Sequence, residues 1–180
     1  MFRFLQNYPH ALEVMYDALE RGILPFKQWL KPDSRLAPAL TWVERIGKEM
    51  VFDCHMCGQC ILHSTGMTCS MSCPKNLRNG PCGGVRANGH CEVKPEMRCV
   101  WVQAYERSLH MPRYGHELIR LEPPVNRQLE GTSSWINFLY DIDQELPQGW
   151  VNTSNIGIIP VDSEQDARKL WKLNLKEAAA

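Results

Sequence analysis

The chain has 180 residues, 20 Lys and Arg against 20 Asp and Glu, an apolar fraction of 44% and eight cysteines. That length suits one domain of roughly 100 to 200 residues, and the apolar fraction suffices for a packed core, which excludes wholesale disorder. Zero net charge argues against a nucleic-acid or acidic-membrane binder, because such proteins cluster positive charge to displace counterions.

Taken in chain order, the sequence falls into three pieces: an N-terminal helical arm (1–53), a cysteine-rich core (54–99) and a C-terminal helical arm (100–180), expected to form one compact unit. Met1 to Glu13 lacks the basic start, apolar stretch and cleavage site of a signal peptide, and no apolar run approaches the roughly 20 residues that span a bilayer. A cytoplasmic chain is expected. Leu12, Met15, Tyr16 and Leu19 repeat at helical spacing, and Arg21, Gly22 and Pro25 supply a stop, so a helix is predicted over His10 to Arg21. A second stripe runs through Ala39, Val43, Ile46 and Met50, and both stripes are expected to pack around the cysteine region.

The middle piece has neither helical nor strand periodicity and holds half of the twelve glycines, as a backbone wrapped closely round a ligand requires. Asn88-Gly89 is a turn dipeptide that could close one small hairpin between Val85 and Val93. In the third piece Val100, Trp101, Ala104, Tyr105 and Leu109 mark a helix that stops before Pro112. From Gly115 to Gly131 the chain is charged, contains Pro123-Pro124 and reads as an extended surface segment. A helix capped by Ser133 or Ser134 then carries Trp135, Phe138, Leu139, Ile142 and Leu146 on one face. A short strand is expected over Ile156 to Val161. A capping box at Ser163 and Asp166 precedes a last helix through Ala167, Leu170 and Trp171. The fold class read from these elements is mostly α with a loop-rich, cysteine-coordinated metal-cluster core and little β structure.

All eight cysteines, Cys54, Cys57, Cys60, Cys69, Cys73, Cys82, Cys91 and Cys99, lie within 46 residues. In a reducing compartment such a density points to metal binding or catalytic thiols more than to disulfides. Cys54, Cys57 and Cys60 form a C-x2-C-x2-C run, which can curl round three corners of a [4Fe-4S] cube and take its fourth ligand from farther along. Eight thiolates match two such clusters; they also match two four-thiolate zinc sites, although structural zinc usually shows paired C-x2-4-C knuckles, and Cys82, Cys91 and Cys99 are spaced more widely. Between Cys54 and Cys99 five basic residues (Lys75, Arg78, Arg86, Lys94, Arg98) face two acidic ones (Glu92, Glu96), a balance that favours an anionic centre. His55, His63 and His90 are read as hydrogen-bonding or exposed groups, Met56, Met67 and Met71 as apolar cover, and Trp101 and Tyr105 as packing residues.

These residues carry a resemblance. Cys54-x2-Cys57-Gly58-x-Cys60-x2-His63-x-Thr65-Gly66-x2-Cys69, then Ser72-Cys73-Pro74-Lys75, Asn79-Gly80-Pro81-Cys82-Gly83-Gly84, Gly89-x-Cys91-Glu92-Val93 and Cys99-Val100-Trp101 resemble the methylenetetrahydrofolate reductase C-terminal family. Ser70 departs from the family pattern, which places Pro after Cys69. The resemblance implies a small iron-sulfur subunit with two [4Fe-4S] clusters. Its partner would be a flavin-containing methylenetetrahydrofolate reductase catalytic subunit, a barrel that alone carries the flavin. It further implies transfer of single electrons between that flavin and an external, ferredoxin-like carrier, with no catalytic residue in this chain. A structural zinc scaffold that transfers no electrons is the alternative reading, and neither reading groups the eight cysteines into centres.

Overall fold

A computed structural model describes residues 2–147, 149–150, 168 and 171. The expected strand over 156–161 and the capping box at Ser163 lie outside these residues, as does the last helix except for its helical residues Arg168 and Trp171. The described part is helical, with four α-helices joined by 3-10 turns and long irregular segments, and among the described residues there is no strand.

Helix α1 spans Pro9–Ile23. Proline suits its first turn because that position needs no N–H donor, and Arg21 favours the opposite end of the helix dipole. Leu12 enters the core, but Met15 and Leu19, expected to follow it, are exposed. The anchor on α1 is instead Glu13, which is fully buried. Its Oε1 accepts the backbone N–H groups of Arg113 and Tyr114, both at 2.7 Å, and its Oε2 lies 3.1 Å from His10 Nδ1. A buried carboxylate is tolerated only when so satisfied, and here it ties α1 to the turn after the third helix.

Helix α2, Ala37–Phe52, ends at Asp53 in the left-handed region (φ 57°). Its predicted stripe does not pack inward: Val43 is 59% exposed, with Ile46, Met50 and Trp42 also exposed. The face turned to the molecule carries Glu44, Lys48 and Phe52. Phe52 joins Leu12, Leu62, Met67 and Met111 in one apolar cluster.

Helix α3, Val100–Ser108, follows directly on the last cysteine and buries Val100, Trp101 and Ala104 against Cys73 and Cys99 in a second cluster. The segment after it is not simply a surface strap. It makes 3-10 turns at Gly115–Ile119 and Arg127–Leu129 and buries Gly115, His116 and Asn126. Helix α4, Ser134–Leu139, is capped by Ser133, whose side chain accepts the Ile136 N–H. It is shorter than its stripe: the chain turns at Asp141 (φ 58°) and only then forms a 3-10 turn at Ile142–Gln144. The middle piece is as irregular as its composition suggests. Its β character is confined to two isolated bridges, Val85 with Cys91 and His90 with Arg98, round the Asn88-Gly89 turn.

Candidate metal centre

The Cys54–Cys60 loop begins where α2 stops. Met56 (φ 47°) and Gly58 (φ 75°) both adopt left-handed backbone and curl the loop back on itself. A methionine in that region is uncommon, and it is held there by the Gly131 N–H, which donates to the Met56 carbonyl at 2.8 Å. Asn137 Nδ2 donates to the Gly58 carbonyl at 2.8 Å. The Gln59 side chain, fully buried, accepts the Asn126 N–H at 2.6 Å and donates to the Asp143 carbonyl at 2.7 Å. Four C-terminal residues, Gly131, Asn137, Asn126 and Asp143, therefore hold the segment between the first three cysteines.

Cys54, Cys57, Cys60 and Cys69 line one pocket together with Lys48, Met56 and Met71. The side chains close on a void of about 20 Å³. Cys54 Sγ lies 3.9 Å from Met56 Sδ, and it and Cys69 act on each other across the pocket. The neighbouring Cys69 thiol, with burial second, pushes the Cys54 thiol up, while Cys54 and the Met71 and His55 backbone hold Cys69 low against burial. Burial raises Cys57, while the Gln59 backbone and the Arg78 guanidinium oppose the shift. The Met56 N–H reaches Cys54 Sγ at 3.3 Å.

The other four cysteines lie outside this pocket. Cys73 and Cys99 lie in the α3 cluster, and Cys91 is buried in the 85–99 turn, where its N–H donates to the Met97 carbonyl at 2.9 Å. Lys75, ion-paired with Glu92, is held above its ordinary range mainly by that partner, with Cys82 and Cys91 contributing. None of the eight is in a disulfide. Among the described residues no three His, Cys, Asp or Glu side chains are disposed to share one metal ion.

Two of the three histidines have other partners. His63 Nδ1 lies 2.5 Å from Glu117 Oε2 and its ring packs between Tyr16 and Tyr114, while His90 Nδ1 contacts the Pro95 carbonyl at 2.8 Å. Met56, Met67 and Met71 are all buried, as cover residues should be, and Trp101 is packed while Tyr105 is exposed.

A family model described as methylene-tetrahydrofolate reductase C terminal matches residues 36–128, from the start of α2 past all eight cysteines and α3. The chain belongs to this family. No curated protein and no solved structure matches it. Helices α1 and α4 fall outside the matched stretch of the methylene-tetrahydrofolate reductase C-terminal family, although α4 contributes Asn137 to the cysteine loop. Among the described residues no helix is long and apolar enough to cross a membrane.

Sequence reasoning did not single out Lys48, Glu44 or Gln59. Lys48 is buried beside the thiols, bonded to Glu44 Oε1 and Ser134 Oγ, both at 2.6 Å, with its ammonium 5.5 Å from the Trp135 ring centre. Glu44 and Lys48 stand four apart, the spacing of a helical ion pair, but the sequence holds no sign that this pair turns inward.

Proposed function

We propose that this chain is the iron-sulfur electron-transfer subunit of a methylenetetrahydrofolate reductase complex. Cys54, Cys57, Cys60 and Cys69 would hold one [4Fe-4S] cluster and Cys73, Cys82, Cys91 and Cys99 the other. The observation that carries this reading is the convergence of four thiols, remote fourth ligand included, on one pocket in a member of this family. The donor chemistry fits: soft thiolate ligands, backbone N–H groups directed at sulfur, buried methionines that exclude water, and a local excess of cations suit an anionic cluster. Seating it would require the four thiols, now closed on a small void, to lose their protons and move apart. When bound, such clusters accept and release single electrons, and the two-electron folate chemistry would remain with the flavin of the catalytic partner subunit. A ferredoxin-like carrier would complete the path.

Anaerobic purification, metal analysis and absorption spectroscopy test this directly. The expected result is a brown protein with about eight iron atoms per chain and a band at roughly 400 nm that bleaches with dithionite. Co-purification of a flavoprotein reductase is expected alongside. A colourless protein with two zinc ions and no iron would replace this reading with a structural zinc scaffold.

A further inference from the structure

Arg78 is buried at 7% exposure, and among the described residues its guanidinium makes one hydrogen bond, Nη1 to the Gln59 carbonyl at 2.7 Å. Its Nε is buried without a partner, and among the described residues no carboxylate lies within ion-pairing distance of it. That is an unusual state for a cation, because a buried charge is costly unless an opposite charge or full hydrogen bonding compensates it. Lys48, the other buried cation near the thiols, differs in carrying its own counterion, Glu44, at 2.6 Å. Arg78 is thus the uncompensated one.

Its surroundings show where compensation would come from. The Gln59 carbonyl that accepts from Arg78 also lies 3.6 Å from Cys57 Sγ, so guanidinium and thiol meet at one backbone oxygen. The Arg78 side chain further lines two clefts, one reaching Cys60 and the other Cys82.

We propose that Arg78 is the counter-cation of the Cys54, Cys57, Cys60 and Cys69 centre, a positioning residue that sets this centre's reduction potential above the value its four thiolates alone would give. The inference rests on the iron-sulfur reading above. Its physical basis is elementary: reduction adds one negative charge to an already anionic centre, and a fixed positive charge in a low-dielectric site stabilises the reduced form more than the oxidised one. Arginine suits the task because it stays protonated when buried, and a lysine in the same place would keep its proton beside the anionic centre.

The test is a dithionite titration of the whole chain, reconstituted anaerobically with iron and sulfide and followed by electron paramagnetic resonance, comparing wild type, Arg78→Gln and Arg78→Lys. Iron content is measured on each. The expected outcome is full iron in Arg78→Gln with one of two midpoints lowered by about tenfold in the reduction equilibrium, or about 59 mV for a one-electron centre, and the other unmoved. Arg78→Lys should restore most of the shift. Unchanged midpoints in an iron-loaded Arg78→Gln protein would overturn the role of Arg78 while leaving the iron-sulfur reading intact. If Arg78→Gln fails to hold iron, Arg78→Lys decides: retention of iron with a near-wild-type midpoint supports a charge role, and loss of iron overturns it in favour of packing. A wild-type protein with no reducible centre would sink both the iron-sulfur reading and this inference.

Discussion

Gly58 shows how tightly the cysteine loop is bound to the rest of the chain. At φ 75° it occupies backbone space that other residues resist, and a Cβ there would lie 2.2 Å from the Leu129 carbonyl oxygen and 2.7 Å from Thr132 Oγ1. Relief would require moving backbone. Gly58→Ala is therefore expected to cost about 3 kcal/mol in chemical denaturation, through combined strain and clash. Glu117 offers a pH-dependent counterpart. Burial alone would raise its carboxyl, but the hydrogen bond and charge of His63, helped by Arg120, hold it below 4.5. A carboxylate that ionises more readily folded than unfolded stabilises the fold fully above the ordinary carboxylate range, and that stability is lost as the pH falls through its lowered folded value. Glu117→Gln should therefore lower the melting temperature at pH 7, with the difference from wild type shrinking toward pH 3.

At the scale of elements, α2 carries the largest difference between pattern and structure. Its apolar stripe of Val43, Ile46 and Met50 faces outward, and its inward face is built on an ion pair. Glu44 accepts Ser133 Oγ at 2.6 Å and Ser134 Oγ at 2.5 Å, so one carboxylate joins α2 to the cap of α4 and neutralises Lys48 beside the thiols. Glu44→Ala would leave a buried ammonium without its counterion and is expected to destabilise the protein by about 3 to 5 kcal/mol. Val43→Ser, by contrast, should change the unfolding free energy of the isolated chain by no more than about 0.5 kcal/mol, since exposed positions contribute little. A large loss from Val43→Ser would mean that this face is covered. Periodicity located α1, α2 and α3 well because the repeat of a helix is a local property. Which side of α2 turns inward depends on what lies opposite, and Ser133 and Ser134 are some ninety residues away.

For the whole molecule, the grouping of the cysteines is the decisive feature, and it yields a test independent of potentials. If Cys54, Cys57, Cys60 and Cys69 serve one centre and Cys73, Cys82, Cys91 and Cys99 another, Cys69→Ser and Cys91→Ser should each remove about half the iron, and the paramagnetic signal that survives should differ between them. Identical surviving signals would refute the grouping. The candidate site was legible as residue types and spacing: eight thiols in a glycine-rich stretch can be read directly, and so can the family they resemble. The supporting groups were not. Gln59, Asn126 and Asn137 are ordinary polar residues in the sequence, and only their convergence on the 54–60 loop gives them a role.

The sequence by itself determined the helical character of the chain, the irregular middle piece, the family and the set of candidate ligands, because composition, short-range periodicity and motif spacing are carried by neighbouring residues. Tertiary structure alone decided that Cys69 joins the first three cysteines, that α2 exposes its apolar stripe, that the 115–131 segment partly buries itself, and that Arg78 lies buried with no carboxylate partner among the described residues. Each of these depends on contacts between distant residues, where burial sets the cost of a charge and an extended loop brings together groups that the sequence keeps apart.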